Sequence, residues 1–511
     1  MAERSLSELV RAGYATRVIG DGARRVRGIR HDSRAVEPGD LFAAISQKAA
    51  GAGRDGALFI ADALARGACA VLADRELALS VPQLVTQDEL ASLASIAREL
   101  YGDPTASMGV VGITGTNGKT TVSYLVESIL RHADKRPAVI GTVNVRGPGG
   151  ERPTLHTTPM ADDLMRHARW AVDTGASHLV LEVSSHGLAM KRADGVRFSV
   201  AAFTNLTQDH LDYHGDLASY GAAKRRLFVD LKPERAVINV DDAFGRELAL
   251  AARCPVLRCS TAGAAGAEIR VLDHVSDAGG MRAPVLTPQG EVLLESPLVG
   301  DHNLDNLLTA LGVGLQLSIP VATILEALAQ AKGAPGRLER VSVQGVGREP
   351  AVFVDYAHTP DALERVIKAA RSITAGRLWV VFGCGGDRDR GKRPLMGRAA
   401  AELADIAIAT SDNPRTESPA RILEDILPGM QAAGTERLDA ARLGDAGRGF
   451  LLHEDRRESI ALALQHAGPG DVVLIAGKGH EKYQILGAEK IHFDDCEEAR
   501  KALEKRAAGE G

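Results

Sequence analysis

Short apolar runs alternate with amphipathic segments along most of the chain, and this pattern predicts an α/β fold. The runs at 108–114 (MGVVGIT), 178–184 (HLVLEVS) and 471–477 (DVVLIAG) have the length and composition of buried strands. The segment at 121–133 (TVSYLVESILRHA) instead repeats its apolar residues at helical spacing. Strands that alternate with helices in this way are typical of parallel sheets.

Two turn-rich breaks divide the pattern into three blocks. The first break is the Gly-Asp-Pro at 102–104, and the second is KGAPGR at 332–337. We therefore expect domains at 1–105, 106–334 and 335–511, since a chain of 511 residues exceeds what one core usually serves.

Composition narrows the classes of protein that the chain can belong to. Apolar residues make up 45% and charged residues 25%, and the formal charge is −5. These values are ordinary for a soluble globular protein and give no reason to expect a nucleic acid partner. No apolar run is long enough to span a bilayer, and the N-terminus has no signal-peptide core, so we expect no membrane insertion. The five cysteines form no CxxC pair, which fits a cytoplasmic location.

The stretch GITGTNGKTT at 112–121 has the order that a phosphate-binding loop requires: a strand, a glycine-rich turn, Lys-Thr and a helix. Gly115 and Gly118 allow a tight turn, Lys119 can reach the β- and γ-phosphates, and the hydroxyl of Thr120 can bind Mg²⁺. The common form of the phosphate-loop motif has glycine at the position where this chain has Ile113. The alternative is a glycine-rich turn that ends in Lys-Thr by chance.

The loop and two further stretches resemble one family, the Mur ligases, to which folylpolyglutamate synthase is related. The further stretches are EVSSHGL at 182–188 and TNLTQDHLDYHG at 204–215. The resemblance implies a smaller α/β N-terminal domain that binds a UDP substrate, a central P-loop ATPase domain with a parallel sheet, and a Rossmann-like C-terminal domain that binds an amino acid. It assigns ATP to Gly115, Thr116, Asn117, Gly118, Lys119, Thr120 and Thr121.

The resemblance also implies Mg²⁺ bound by Thr120, Glu182, His210 and a Lys224 carbamylated by CO₂. Carbamylation would turn the cation of Lys224 into an anion that holds a metal ion beside the γ-phosphate. Read alone, Glu182 could equally cap a helix, His210 could be structural, and Lys224 could lie on a solvated helix face. The ends of parallel strands share one edge, where such ligands can meet.

Further ATP contacts are implied in the second and third blocks. Asn303 and Asn306, in DHNLDNLLTA, would lie near the adenine, or they could simply face water from an N-capped helix. Arg337 and Asp355 would close over ATP from the third domain, and Arg337 would stabilise charge on the transferring phosphoryl group. We predict catalytic roles for Lys119, Lys224, Arg337 and His358.

TSDNPRTESP at 410–419 indicates the second substrate. Asp412, Asn413, Pro414 and Arg415 match the DNPR motif of family members that add meso-diaminopimelate. A planar guanidinium can grip the distal carboxylate of that amino acid, which lysine lacks. The alternative is a turn with a solvated arginine. By resemblance, Arg388, Gly477 and Glu481 complete the pocket, whereas Arg390, Lys392 and Arg393 could be a charged loop.

The resemblance assigns the other substrate, a UDP-muramoyl dipeptide, to Ser33 near the uridine end and to residues along the muramoyl-peptide path. Those residues are Thr157, Thr158, Ser184 and Arg192. Read alone, Ser184 could make only a strand-end hydrogen bond. The chain departs from the family pattern where it has His31 instead of leucine, His156 instead of asparagine and Met190 instead of glutamine.

Together these motifs imply an ATP-dependent ligase of peptidoglycan precursor synthesis that works through an acyl phosphate. His358 and Glu481 are the candidate bases for the attacking amine. Three alternatives remain: a lysine-adding ligase of the same family, a folylpolyglutamate synthase-like ligase, and a nucleotide-dependent switch without ligase chemistry. We expect the UDP dipeptide, meso-diaminopimelate and ATP as partners, and a monomer.

Overall fold

The computed structural model describes residues 3–50, 54–343 and 349–508. The chain forms two compact units. The first consists of Met1–Leu272, Val285–Val292 and Asp305–Leu328, and the second consists of Asp273–Pro284, Leu293–Leu304 and Ala329–Gly511.

The N-terminal part of the first unit contains a five-stranded sheet in the order β2-β7-β6-β5-β4. Its strands are parallel except β2, and β1 pairs separately with β3. The elements are β1 (Arg4–Ser5), α1 (Leu6–Arg11), β2 (Arg17–Ile19), β3 (Arg25–Val26), β4 (Gly28–Arg30), β5 (Asp40–Ala43), α2 (Gln47–Ala50), α3 (Ile60–Ala65), β6 (Ala70–Ala73), β7 (Gln83–Val85) and α4 (Glu89–Leu100).

The central part of the chain continues with a larger sheet and its helices. These elements are β8 (Gly109–Thr114), α5 (Lys119–His132), β9 (Pro137–Ile140), β10 (Val145–Gly147), β11 (Gly150–Arg152), α6 (Ala161–Asp173), β12 (His178–Glu182), α7 (Ser185–Ala189), β13 (Val200–Phe203), α8 (Leu211–His214), α9 (Leu217–Val229), β14 (Arg235–Asn239), α10 (Ala243–Ala251), β15 (Val256–Ser260), β16 (Ile269–Val271), β17 (Val275–Asp277), β18 (Gly280–Thr287), β19 (Gly290–Ser296), α11 (Asp301–Gln316) and α12 (Val321–Ala329).

The register of the parallel strands places three strand ends at one edge of this sheet. Strand β8 lies between β12 and β13, with Glu182 opposite Ile113 and Phe203 opposite Thr114. Apolar side chains such as Val110 and Leu181 are completely buried, because both faces of the sheet are covered. The residues that follow β8, β12 and β13 therefore lie close together in space.

Antiparallel strands extend the sheet where the apolar pattern of the sequence is weak. Strand β10 pairs with β9 and β11, and β16 pairs with the end of β18. In the second unit, β17 pairs with the start of β18. Several of these strands are only three residues long, which is too short for a hydrophobic alternation to be recognised.

The second unit has a six-stranded sheet in the order β20-β21-β25-β22-β23-β24, parallel except for β20. Separate apolar clusters cover its two faces. The elements are β20 (Glu339–Val341), β21 (Ala351–Asp355), α13 (Pro360–Ser372), β22 (Leu378–Cys384), α14 (Lys392–Leu403), β23 (Ile406–Ser411), α15 (Pro419–Ala432), β24 (Gly449–Leu452), α16 (Arg456–His466), β25 (Val472–Ala476), β26 (Tyr483–Leu486), β27 (Glu489–His492) and α17 (Asp495–Ala507).

The predicted α/β class is confirmed, since parallel strands alternate with helices in both units. The strand and helix segments named from the apolar pattern all occur as such. The domain boundaries near 105 and 334 stay predictions.

Candidate active site

The glycine-rich loop joins the end of β8 to the start of α5, as a phosphate loop requires. Gly115 and Gly118 both have positive φ, of 151° and 88°. A side chain at Gly115 would overlap with Thr204, and one at Gly118 would overlap with the amide oxygen of Asn306. Both positions therefore require glycine for their backbone conformation and for the close approach of a neighbour.

The chain after β13 holds this loop in place. The backbone N–H of Thr116 donates to the carbonyl of Asn205 at 2.8 Å, and that of Asn117 donates to Asn205 Oδ1 at 3.0 Å. The hydroxyl of Thr204 donates to the carbonyl of Asn117 at 2.6 Å. The conformation of the loop is thus set by the TNLT segment, which precedes His210.

Two lysines converge on one carbonyl of the loop. Lys119 Nζ lies 2.9 Å from the carbonyl oxygen of Gly115, and Lys224 Nζ lies 2.7 Å from the same oxygen. Lys224 is buried, with Nζ 4.2 Å from the ring centroid of Tyr220. Burial and the nearby charge of Lys119 lower the pKa of Lys224 well below its usual value. The solvated helix face considered for Lys224 is therefore wrong, and the lowered pKa favours the uncharged amine of Lys224 beside Lys119.

Glu182 lies at the end of β12 and is buried beside the start of α5. Its carboxylate accepts hydrogen bonds from the Thr120 hydroxyl at 2.9 Å and from the N–H and hydroxyl of Thr142, each at 3.0 Å. Thr121 is buried in the same first turn of α5. A carboxylate beside a hydroxyl provides the oxygen ligands that Mg²⁺ prefers, so these side chains fit the predicted metal.

His210 is placed differently from Glu182. It is exposed, has a φ of 52°, and stacks edge-on against His186 with ring centroids 4.9 Å apart. Tyr220 lies next to both His210 and Lys224. In the part of the chain that the structure describes, no three His, Cys, Asp or Glu side chains form a group that could hold a metal ion. The full set of predicted metal ligands, which also includes Thr120 and Lys224, stays a prediction.

Three of the four residues predicted for the muramoyl-peptide path form one hydrogen-bonded group beside Glu182, and the fourth, Thr157, contacts Thr142. Thr158 Oγ1 donates to the carbonyl of Glu182 and accepts from Ser184 N, each at 2.9 Å, while Arg192 Nη1 donates to the carbonyl of Thr158 at 2.9 Å. Thr157 is 3.0 Å from the hydroxyl of Thr142. The side chain of Ser184 caps α7 by accepting from Gly187 N, which is a structural role.

Ser33, predicted to lie near the uridine, is buried in a short 3₁₀ helix (Ser33–Ala35). Just before it, His31 meets the buried Asp162 of α6: its backbone N–H and its Nδ1 both bind the carboxylate, at 3.0 and 2.8 Å. Burial alone would lower the pKa of His31, but the charge of Asp162 raises it above its usual value. His31, which stands where the family pattern has leucine, is therefore paired with Asp162.

The two asparagines of α11 are buried, so the alternative in which their amides face water is wrong. In the second unit, Asn303 donates from Nδ2 to the carbonyl of Val299 at 2.8 Å. In the first unit, Asn306 stands against Gly118 of the loop. Asn306 is thus beside the predicted phosphate site.

Asp355 ends β21 in the second unit and is buried. Its carboxylate accepts hydrogen bonds from the backbone N–H groups of Leu338 and Ala357, each at 2.8 Å. Burial raises the pKa of Asp355, although the charge of Arg337 acts to lower it. The guanidinium of Arg337 lies 5.2 Å from the ring centroid of Tyr356. His358 is exposed, and its Nδ1 is 2.8 Å from the carbonyl of Tyr356.

The DNPR segment follows β23 and forms a polar cluster with the chain after β25. Asn413 Nδ2 donates to Glu481 Oε2 at 2.9 Å, and Lys478 Nζ lies 3.3 Å from Asp412 Oδ1. Gly477 precedes Lys478 with a φ of 121° and donates its N–H to the carbonyl of Asp355 at 3.0 Å. The structure thus brings Asp412, Asn413, Gly477 and Glu481 together.

Arg415 lies at the side of this cluster and is held by backbone carbonyls. It has a φ of 54°, and its Nη1 donates to the carbonyl of Gly386 at 2.7 Å. Pro414 is buried, with its carbonyl against Gly386. Arg388 is exposed, and its Nη1 lies 3.5 Å from the carbonyl oxygen of Asp387. The guanidinium of Arg415 is therefore oriented by the loop that follows β22. Arg415 is not a freely solvated side chain.

The neighbouring arginines do not form a simple charged loop. Arg393 is completely buried and binds Glu417 and Asp425, at 2.8 and 2.7 Å. Arg390 is exposed and also binds Glu417, at 2.8 Å. The hydrogen bond from Arg393 lowers the pKa of Glu417 to about 2. Arg393 therefore fixes the chain that leads from Arg415 into α15.

Sequence reasoning missed several side chains that contact the predicted residues. Thr142 was missed because it follows a strand without any recognised motif. Lys478 lies between Gly477 and Glu481, two residues predicted from the sequence, so its position was a signal that could have been used. Asp162 comes from a helix distant in sequence from His31, whereas Tyr220 lies one helical turn before Lys224 in α9. No recognised motif singles out either residue.

The chain matches two known protein-family models. Residues 113–314 match the Mur ligase middle domain, and residues 336–479 match the Mur ligase glutamate ligase domain. A UDP-N-acetylmuramoyl-L-alanyl-D-glutamate--2,6-diaminopimelate ligase from Synechococcus elongatus is 46% identical, over 94% of each chain. The enzyme of the same name from Gloeobacter violaceus is 45% identical, over 98% of this chain and 97% of its own.

Solved structures show the same likeness. A structure of a UDP-N-acetylmuramoyl-L-alanyl-D-glutamate--2,6-diaminopimelate ligase superposes with a TM-score of 0.73 and 35% identity, over 99% of both chains. A MurF ligase from Thermotoga maritima shares the fold, with a TM-score of 0.60 and 20% identity over 95% of this chain and 99% of its own. Among the helices of the described residues, none combines the length and the apolar character needed to cross a bilayer. The chain belongs to the Mur ligase family.

Proposed function

We propose that this protein is an ATP-dependent ligase that joins meso-2,6-diaminopimelate to UDP-N-acetylmuramoyl-L-alanyl-D-glutamate in peptidoglycan precursor synthesis. The observation that carries the proposal is the cluster of Asp412, Asn413 and Glu481 beside the oriented guanidinium of Arg415. The two relatives described above, 46% and 45% identical over 94% and 98% of this chain, support the same activity.

Selectivity follows from the charges of this cluster. The distal centre of meso-diaminopimelate carries one ammonium and one carboxylate, and the cluster offers carboxylates for the first and a guanidinium for the second. L-lysine would leave the guanidinium of Arg415 without its charged partner, which is costly in a site closed to water. We therefore expect strong preference for meso-diaminopimelate.

Activation of the dipeptide carboxylate is assigned to the first unit. A carboxylate resists attack by an amine because oxide is a poor leaving group, and phosphorylation by ATP removes that obstacle. The loop at Gly115–Gly118 would hold the triphosphate, and Lys119 would neutralise part of its charge. Thr120 and Glu182 would bind Mg²⁺, which when present adds positive charge at the phosphates.

Lys224 has the environment that carbamylation needs. CO₂ reacts with the neutral amine, and the lowered pKa of Lys224 favours that form. The product would be an anion beside Lys119, and it could bind a second Mg²⁺. In the second unit, Arg337 would stabilise the transferring phosphoryl group. His358 and Glu481 remain the candidates for taking the proton of the attacking amine.

A phosphate-release assay tests the proposal. The purified protein is supplied with ATP, Mg²⁺ and the UDP dipeptide, and meso-diaminopimelate, L-lysine and L-glutamate are compared as the third substrate. We expect phosphate release with meso-diaminopimelate and very little with the other two. Preference for L-lysine would instead identify a lysine-adding ligase, and glutamate addition to a folate would identify a folylpolyglutamate synthase. Slow ATP hydrolysis that no substrate stimulates would indicate a nucleotide switch.

The setting of the reaction is part of the proposal. All three substrates are water-soluble, and we place the enzyme in the cytoplasm as a monomer. Size-exclusion chromatography with light scattering tests the oligomeric state: a mass near 53.9 kDa is expected for a single chain. A mass twice as large at assay concentration would contradict it.

A further inference from the structure

Lys478 occupies the centre of the polar cluster, although no role has been assigned to it. It follows β25 and Gly477, and its side chain is completely buried. Its Nζ lies 3.1 Å from Asn413 Oδ1, 3.3 Å from Asp412 Oδ1 and 3.9 Å from Glu481 Oε2. One buried ammonium therefore faces three of the residues predicted to bind meso-diaminopimelate.

The ammonium controls the orientation of the Asn413 amide. Lysine can only donate, so the atom of Asn413 that faces it must be the oxygen. The N–H of Ile485 also points at this oxygen, at 3.1 Å. The amide nitrogen of Asn413 is consequently directed to Glu481 Oε2, at 2.9 Å. Removing Lys478 takes away one of the two donors that prevent this amide from turning.

The ammonium also lies near two carboxylates. Asp412 Oδ1 and Glu481 Oε2 are 3.3 and 3.9 Å from Lys478 Nζ. Without this cation, the two carboxylates would lose a common partner in a partly buried site, and their positions would change. In the presence of the Lys478 ammonium, Asp412 contacts Lys478 through Oδ1. The other carboxylate oxygen, Oδ2, can accept a hydrogen bond from a second group.

The backbone around Lys478 is supported from a second direction. Arg456 is completely buried and forms a bidentate ion pair with Asp495, with both distances 2.7 Å. The same guanidinium donates to the carbonyl of Ala476 at 3.0 Å, two residues before Lys478. The position of Lys478 is therefore set by the fold of the second unit and not by the flexibility of its own side chain.

We infer that Lys478 is a positioning residue for amino-acid selectivity, which holds Asp412, Asn413 and Glu481 in the arrangement that receives the distal end of meso-diaminopimelate. This inference rests on the proposed function. Lys478 is enclosed by these side chains, so it acts through them and not by touching the substrate. Its removal should affect recognition of the amino acid and leave the ATP and UDP-dipeptide sites unchanged.

The test compares Lys478→Met with the wild type and with Lys482→Met in the phosphate-release assay. Lys482 is a near neighbour in sequence, but its side chain is 71% exposed and lies 3.7 Å from Asp494. For Lys478→Met we expect the KM for meso-diaminopimelate to rise about tenfold or more, with less than about a twofold change in the KM for ATP and for the UDP dipeptide. The preference for meso-diaminopimelate over L-lysine should fall by a similar factor. Lys482→Met should behave as the wild type.

Three results decide between the possibilities. A wild type that releases no phosphate with meso-diaminopimelate contradicts the proposed function itself. An active wild type with equal losses for all three substrates in Lys478→Met contradicts the positioning role and indicates a structural one. If Lys478→Met does not fold, Lys478→Gln carries the test, because its amide keeps part of the donor function. It should show the same KM pattern at a smaller amplitude, and an unchanged KM for meso-diaminopimelate overturns the inference.

Discussion

At the scale of single residues, Gly118 shows how backbone conformation and packing combine. Its φ of 88° disfavours any residue with a Cβ, and the space beside its Cα is filled by Asn306. Gly102 has a similar φ of 73°, but a side chain there would meet nothing within 4 Å. A comparison of alanine substitutions at Gly118 and Gly102 therefore separates the cost of a positive φ from the cost of a steric overlap with a neighbour.

We predict that Gly118→Ala abolishes ATP-dependent phosphate release, because the loop must shift away from Asn306 to admit the methyl group. Gly102→Ala should retain activity and lose only about 1 kcal/mol of stability. Calorimetric titration with a non-hydrolysable ATP analogue measures the effect directly. Equal ATP affinity in the two variants would contradict the assignment of the loop.

Arg415 is the residue on which the choice of amino acid depends. Its guanidinium is already held in one orientation by the hydrogen bond to the carbonyl of Gly386. Little side-chain entropy is therefore lost when it binds a carboxylate. We predict that Arg415→Ala raises the KM for meso-diaminopimelate by about tenfold to a hundredfold, and far more than the KM for ATP.

The control for Arg415→Ala is Arg398→Ala, which removes an exposed arginine paired with Glu402 on the surface of α14. It should leave both KM values unchanged. Equal rises in the two KM values of Arg415→Ala would contradict the placement of the amino-acid pocket.

At the scale of elements, the chain after β4 is attached to the start of α6 by the His31–Asp162 pair. The side chain of His31 is 26% exposed, and that of Asp162 is buried. Asp32 and Asp163 also face His31 and raise its pKa further, while burial lowers the pKa of the nearby His156. The predicted uridine contact, Ser33, follows directly on this attachment.

The raised pKa of His31 gives the attachment a pH dependence. The charged pair makes its full contribution to stability at pH values below the pKa of histidine in the unfolded chain, which is about 6.5. That contribution is lost as the pH rises through the higher pKa that His31 has in the folded protein. Asp162 stays ionised in this range because His31 lowers its pKa against the opposing effect of burial.

We predict that His31→Gln lowers the midpoint of thermal unfolding more at about pH 5.5 than at about pH 8.5. His132→Gln, in which an exposed histidine near the end of α5 is replaced, is the matched control and should show no such difference. A midpoint difference that is the same at both pH values would show that His31 contributes by packing alone.

At the scale of the whole molecule, the two units have separate apolar cores. The clusters on the two faces of the six-stranded sheet come almost entirely from residues after 335. Strand β21 lies inside this sheet, between β20 and β25. The predicted C-terminal domain, 335–511, therefore contains nearly all of the core that it needs.

We predict that a fragment of residues 335–511 unfolds cooperatively in urea, with an m-value of about 2 kcal/mol/M. A fragment of residues 360–511, which lacks β20 and β21, should show no cooperative transition, since β25 loses a neighbour on one side. Circular dichroism against urea concentration measures both. Cooperative unfolding of the shorter fragment would contradict the domain boundary.

Much of the fold and part of the site follow from local pattern. Buried parallel strands such as 108–114 and 471–477 are recognisable because both faces are apolar, and the glycines at 115 and 118 mark a turn that only glycine permits. The sequence also indicated that Thr120 and Glu182 would meet, since the ends of parallel strands share an edge. The short antiparallel strands were not predicted, because three residues carry too little periodicity.

The sequence by itself determined the buried parallel strands, the helices named from the apolar pattern and the motifs, because hydrophobic periodicity and glycine positions are local properties of the chain. Only the tertiary structure decided which polar groups share a buried contact. Lys224 and Gly115 are 109 residues apart, and Lys478 and Asn413 are 65 apart. A lysine on a solvated helix face and a buried lysine look the same in sequence, since burial depends on what packs against them from elsewhere in the chain.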